Sequence, residues 1–262
     1  EMENRKNTIL LTVIAVATLL VAVVGATFAY FTAQGAGPGT TPVNVQTYTS
    51  STGSFQVNGN LAISANQNNF AENGYSHIDT GDATVTFKSS TNEAGSTSED
   101  FCYTVALNIT NNTYATEAGE NTGVLLINAS EDTLGAFATG DSLTNGTGTN
   151  ATFVTGTSGY NATATPDAPT EGTAGQTTTF DGFDVMPLTA GTYYFQKSTG
   201  METAGSTKVY KLTSANGAEV THSWDFSVTL VNTAANQNAL TGKTFNSTLV
   251  FTQVDCETGS AM

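Results

Sequence analysis

The chain has 262 residues, enough for one large or two modest globular domains. Charged residues make up 11%, against about 25% in an average soluble domain, and 22 Asp and Glu against 7 Lys and Arg give a net charge of −15. This charge argues against nucleic-acid binding, and two His and two Cys leave little material for a metal site or a catalytic base. We therefore expect no cofactor, and an extracellular β-rich structural protein rather than an intracellular enzyme.

The first feature along the chain is an apolar segment at residues 9–30, which contains 22 residues and no charge. As a helix it would span about 33 Å, enough to cross the hydrocarbon of a bilayer. Arg5 and Lys6 precede it, and the next basic residue is Lys88. The positive-inside rule then leaves the N-terminus in the cytoplasm and exports everything after the segment.

Three fates are open to this helix: a signal peptide cleaved after Ala29, a permanent membrane anchor, or the core of a filament after release from the membrane. Small residues recur along it at spacings that let helix backbones approach closely. These candidate assembly residues are Ala15, Thr18, Ala22, Gly25, Ala26 and Ala29.

A Gly/Pro/Thr hinge at 34–42 follows, and its Pro38 and Pro42 cannot extend a helix. The hinge divides the chain into a hydrophobic N-terminal α-helix at 1–33 and a head at 43–262. The N-terminal helix is expected in the cytoplasmic membrane before assembly.

In the head, apolar residues alternate with polar ones, which predicts β-strands. The strongest patterns are at 101–110 and 224–231. Further strands are predicted at 83–87, 192–195 and 249–252. Strands of this kind separated by turn residues favour a mainly β protein with an antiparallel β-sandwich or jelly-roll head.

Between residues 134 and 179 the alternation fades into Gly, Thr, Asn and Ala, with a short strand indicated at Phe153 and Val154. We expect one domain with a long surface excursion here. Because the excursion contains no Lys or Arg, it is predicted to lie outermost as an acidic layer, to which divalent cations or glycans could bind.

Cys102 and Cys256 are predicted to form a disulfide, since an even cysteine count in an exported protein favours pairing; two free thiols are the alternative. Glycosylation sequons occur seven times, most of them in or near the excursion. They begin at Asn108, Asn111, Asn128, Asn145, Asn150, Asn161 and Asn246.

Two stretches resemble the TasA/camelysin-type secreted proteins. GATFAYFTA at 25–33 is similar to the end of their signal segment, and NTAANQNALTGKTFNSTLVFTQVD at 232–255 is similar to their closing strand. This resemblance implies a jelly-roll subunit of extracellular or biofilm fibres. The order of apolar helix, hinge and Thr/Asn-rich β head also resembles type IV pilin-like subunits of the archaeal kind, which implies a filament with helices at its core. Arg5, after Glu1 and Glu3, departs from the usual pilin start.

Motifs of catalysis and metal binding are weak or missing. LTGKT at 240–244 has Gln237 where a phosphate-binding loop needs glycine, and His222 has no ligand partner at metal spacing. We predict a structural subunit of a cell-surface filament that assembles with copies of itself and is not an enzyme. The rival interpretation is a membrane-anchored or secreted surface or biofilm matrix protein, joined by donor-strand exchange.

Overall fold

A computed structural model describes residues 46–47 and 51–262, apart from 59, 66–75, 91–97, 120, 147, 161–176 and 234. The predicted helix at 1–33, its six small residues and the hinge at 34–42 lie outside the described residues. Within the described part of the chain, no helix combines the length and the apolar character needed to span a bilayer.

The described secondary structure consists of sixteen strands and two short 3-10 helices at Thr113–Glu117 and Asn238–Leu240. In chain order the strands are β1 (Gln46–Thr47), β2 (Thr52–Asn58), β3 (Asn60–Ser64), β4 (His77–Lys88), β5 (Ser98–Asn112), β6 (Leu125–Glu131), β7 (Gly135–Ala136), β8 (Ser142–Thr144), β9 (Thr149–Ala151), β10 (Phe153–Tyr160), β11 (Thr177–Asp184), β12 (Gly191–Gln196), β13 (Glu202–Ala204), β14 (Thr207–Ala215), β15 (Glu219–Leu230) and β16 (Thr244–Val254). The chain is therefore mainly β, as the alternating patterns predict.

The strands form two antiparallel sheets. Sheet 1 has the order β1-β2-β4-β15-β6-β11-β10, with β7 added beside β6. Sheet 2 has the order β13-β14-β5-β12-β8-β9, and the second edge of β5 pairs with β16, which also pairs with β3. β5 is the longest of the described strands. Along one of its edges it pairs first with β14 and then with β12.

Aromatic side chains from both sheets meet in one core. Phe55 of sheet 1 lies 5.6 Å from Phe101 of sheet 2, measured between ring centroids. Trp224 of sheet 1 meets the edge of Tyr210 of sheet 2 at 4.8 Å. Rings in these tilted and edge-on arrangements contribute about 0.5–1.5 kcal/mol per pair beyond the burial of their area.

Each strand predicted from alternation is present, with bounds that extend beyond the pattern. The segment at 101–110 lies inside β5, and 224–231 lies almost entirely inside β15. β4, β12 and β16 contain the other three.

β5 differs from its pattern because both of its faces are buried from Phe101 to Leu107. Its inward residues enter the core, whereas outward Cys102 packs against Val209 and Val254 in a second, smaller cluster. Outward Ala106 lies between the larger side chains of two neighbouring strands, which cover it. The periodicity of one strand cannot reveal that its outer face is buried by residues distant in the sequence.

The segment at 134–179 also differs from the expected excursion. Its described part contains β7 to β10 and the start of β11, and the strand indicated at Phe153 extends to Tyr160. Phe137 and Leu143 are buried in the main core, so this part belongs to the sheets rather than to an outer layer. β7, β8 and β9 have two or three residues each and are too short for alternation to be recognised, and the eight residues of β10 show no regular alternation of buried and exposed positions.

Candidate functional site

A polar cluster inside the core joins the two sheets. Tyr103 projects inward from β5, and its hydroxyl forms a hydrogen bond of 2.8 Å with Nδ1 of His222 on β15. The same hydroxyl accepts a hydrogen bond from Nε1 of Trp224 at 3.1 Å. The indole can only donate, and His222 Nδ1 is the acceptor that the described contacts offer to the buried hydroxyl proton of Tyr103. We therefore assign the hydroxyl as the donor to Nδ1, which places the imidazole proton on Nε2.

Glu131, the last residue of β6, places a carboxyl group with no exposed surface beside this cluster. Its oxygens accept the backbone N–H groups of Thr133 at 3.2 Å and Leu134 at 2.7 Å, which caps the turn into β7. Burial, followed by the hydrogen bond with Asp132, raises the pKa of Glu131 to about 7, although the two backbone N–H groups act to lower it.

His222 and Glu131 lie 3.8 Å apart, measured from Nδ1 to Oε1, but they do not form an ion pair at neutral pH. Burial lowers the pKa of the His222 imidazole, which is therefore neutral, and Nδ1 is engaged by Tyr103. Asp132 takes up the negative charge instead, since its hydrogen bond with Glu131 lowers its pKa. The hydroxyl of Tyr103 on sheet 2 contacts His222 and Trp224 of sheet 1, so the arrangement holds the two sheets together.

The raised pKa of Glu131 predicts a stability that declines as the pH rises from about 4.5 through about 7. The protonated form is favoured in the folded state, so its contribution is complete below about pH 4.5 and is lost as the pH rises through about 7. His222 acts in the opposite direction, since its lowered pKa costs stability as the pH falls below 6.5. Most of the loss from Glu131 falls below pH 6, and His222 offsets part of the rest. Between pH 6 and pH 9 we therefore expect the free energy of unfolding in urea to fall by about 1 kcal/mol.

Glu131→Gln is the matched control for this pH dependence, because the amide keeps the shape without a titrating proton. The variant should lose most of the decline between pH 6 and pH 9. An unchanged decline would assign it to other groups.

A second buried polar contact ties the segment after β6 to the end of β12. The ammonium of Lys197 donates to the carbonyls of Gly135 at 3.2 Å and Ala136 at 2.7 Å, and lies 3.4 Å from a carboxylate oxygen of Asp141. It also lies 4.6 Å from the ring centroid of Phe137. The side chains of Lys197 and Asp141 are only 7% and 6% exposed.

Asp141 is held in its charged form. Burial alone would raise the pKa of its carboxyl, but hydrogen bonds from Ser198 and Ala138 and the nearby Lys197 ammonium lower it overall. One carboxylate oxygen accepts both the N–H and the hydroxyl of Ser198, at 2.8 and 2.9 Å.

The outer face of sheet 1 carries an open groove of about 490 Å³. Hydroxyl, amide and carboxylate side chains line it, and Asp82 of β4 lies directly opposite Asp225 of β15. In the described ranges no group of three or more His, Cys, Asp or Glu side chains is placed to hold a metal ion.

The structure describes the two cysteines and six of the seven sequon asparagines among the predicted site residues. Cys102 and Cys256 form a disulfide, with Cα atoms 5.2 Å apart. Asn161 and the six small residues of the predicted helix lie outside the described residues. The six other sequon asparagines are described. Asn108, Asn111 and Asn128 lie on strands at half-buried positions, as does Asn150, whereas Asn145 and Asn246 are exposed.

Sequence reasoning did not identify Glu131, Asp141 or Lys197. A signal for Glu131 existed, because it continues the alternation of buried Ile127 and Ala129 toward the core. Lys197 and Asp141 are separated by 56 residues and offered no such pattern.

The chain has no significant match to a protein-family model, a curated protein or a solved structure.

Proposed function

We infer that the two sheets form a β-sandwich with a jelly-roll core. In a jelly roll of eight strands, the sheets have the orders 1-8-3-6 and 2-7-4-5. Numbering β4, β5, β6, β8, β9, β11, β12 and β15 from 1 to 8 reproduces both orders, as β4-β15-β6-β11 and β5-β12-β8-β9. Ring contacts between the sheets support face-to-face packing.

We propose that this protein is a structural subunit of an extracellular cell-surface filament, assembled from copies of itself and without catalytic activity. The disulfide between Cys102 and Cys256 carries the extracellular part of the proposal, because disulfides persist in oxidising compartments outside the cytoplasm. The uncharged apolar segment at 9–30 supplies a route of export and a candidate assembly helix. Outside a bilayer, its burial against neighbouring copies would contribute about 25 cal/mol per Å².

A second candidate is a TasA/camelysin-like matrix protein joined by donor-strand exchange. Its support is β1, which brings the chain into the head as an edge strand of sheet 1, paired with β2. The opposite edge strand, β10, has a register shift between Val154 and Thr157, where Asp181 accepts the N–H of Gly156 at 2.6 Å. Such irregularities make an edge a poor template for strand addition, which favours the β1 edge.

Two substitutions distinguish the modes of assembly when filaments are counted by negative-stain microscopy of sheared surface material. Ala22→Asp should abolish filaments with a helical core, because it buries an unpaired carboxylate. Val45→Pro should abolish filaments joined by strand exchange, because proline removes a backbone donor immediately before β1.

Filament counts are normalised to the exported chain, measured as disulfide-bonded protein on non-reducing gels. Wild-type protein that stays with membranes as single copies, with no fibre containing it, would contradict both modes.

A further inference from the structure

The outer face of sheet 2 carries an exposed aromatic ring in unusual surroundings. Tyr194 on β12 is 38% exposed and lies opposite Ala106 of β5. Val250 on β16, 36% exposed, lies opposite the same alanine from the other side. The rows before and after this one consist of polar side chains, such as Thr104 and Thr252. Tyr194 is therefore a flat apolar surface within a face of hydroxyl and amide groups.

Asn108 is the diagonal neighbour of this ring. It lies opposite Thr192, two residues before Tyr194 on the same face of β12. Diagonal neighbours in an antiparallel pair are about 7–8 Å apart between backbones, within reach of long or aromatic side chains. Asn108 also begins the sequon Asn-Ile-Thr, so a group attached to its side chain would extend over the neighbouring strand.

The amide nitrogen of Asn108 is available for modification. The side chain is half-buried at its base, and its oxygen accepts one long hydrogen bond, from Thr192 Oγ1 at 3.5 Å. Among the described residues, Nδ2 donates no hydrogen bond to the protein. Modification at this nitrogen would therefore break no internal contact.

Other sequon asparagines are placed differently. Nδ2 of Asn111 donates to Thr244 Oγ1 at 2.8 Å, and the side-chain oxygen of Asn150 holds the N–H of Asn145. Asn128 accepts its neighbour's N–H and lines the groove of sheet 1. Asn246 is exposed, but its partners across the ladder are Asn111 and Ala62, and neither is aromatic.

We propose that Asn108 is an N-glycosylation site whose first sugar packs on the ring of Tyr194. The C–H groups of a pyranose face carry partial positive charge and match the negative face of an aromatic ring. The co-reactant is a saccharide activated as a lipid-linked diphosphate. Nδ2 bonds to C1 of the sugar and loses a proton, while the bond between C1 and the phosphate oxygen breaks. The lipid-linked diphosphate leaves with the bonding electron pair and takes up the proton. Transfer of this kind occurs on exported chains, so the inference rests on the export part of the proposed function.

Glycopeptide mass spectrometry of the chain purified from the cell surface tests the proposal. The peptide containing Asn108 should carry a hexose- or hexosamine-based mass increment. Thr110→Ala should remove it, because the sequon is lost, whereas Thr110→Ser should keep it. An unmodified Asn108 in disulfide-bonded surface protein overturns the proposal, whereas recovery of the chain only from the cytoplasm overturns export itself.

The role of Tyr194 is tested by thermal unfolding of four variants: Thr110→Ser and Thr110→Ala, each with and without Tyr194→Ala. Tyr194→Ala should lower Tm by about 2–4 °C more in the glycosylated Thr110→Ser background than in the unglycosylated Thr110→Ala background, which corresponds to loss of one stacking contact. Equal shifts in both backgrounds overturn the stacking. If Tyr194→Ala instead reduces filament yield in the unglycosylated background, the ring contacts another subunit and the proposal is also wrong.

Discussion

Lys197→Ala should destabilise the head by about 3–5 kcal/mol, because it leaves the Asp141 carboxylate buried without its cation. The change also removes the donor to the carbonyls of Gly135 and Ala136, and it removes a cation from the face of Phe137. Urea unfolding followed by tryptophan fluorescence measures the loss, since Trp224 lies 6.4 Å from Phe137 between ring centroids.

Lys211→Ala is the matched control for this prediction. Lys211 lies 2.7 Å from Glu202 and 3.6 Å from Asp100, but its side chain is much more exposed than that of Lys197. Exposed pairs contribute about 0–1 kcal/mol, so the control should have little effect. If the two variants lost equal free energies of unfolding, the burial of Lys197 would not be the reason for its effect.

Removing the disulfide is the second change with a large expected effect. Cys102 and Cys256 are separated by 154 positions, and a cross-link over a loop of this length restricts the unfolded chain by up to about 5 kcal/mol in the chain-entropy model. The double variant Cys102→Ala, Cys256→Ala should unfold about 5–15 °C below the wild type, since 1 kcal/mol corresponds to about 2–4 °C for a domain of this size.

Reduced wild-type protein provides an independent test of the same effect. The bond holds residues after β16 against Ala204 and Val209, and β16 already pairs with β5 at Val254 and Cys102. Reduction should therefore lower Tm without abolishing the fold. If Tm stays unchanged while thiol labelling shows both cysteines reduced, the loop-closure argument fails.

The long alternating strands were predictable because their burial is decided by local residue order. β15 and β4 each present apolar residues at every second position over five or more residues, and one face of each enters the core. Net charge and the number of cysteines are also known from the sequence, since both are sums over the chain. These features of the sequence are sufficient to predict a mainly β head with one disulfide.

The short strands and the buried polar groups were decided only by tertiary structure. β7, β8 and β9 have two or three residues each, and their positions depend on pairing with β6 and β12. The contact of Lys197 with Asp141 spans 56 positions, and that of Tyr103 with His222 spans 119. The burial of apolar side chains in a strand follows the alternation of residues along that strand. The partner of a buried charge or hydroxyl depends instead on which strand the fold places opposite it. Local residue order is therefore sufficient to predict the long alternating strands, whereas the short strands and the polar groups buried between the sheets depend on how the two sheets pack.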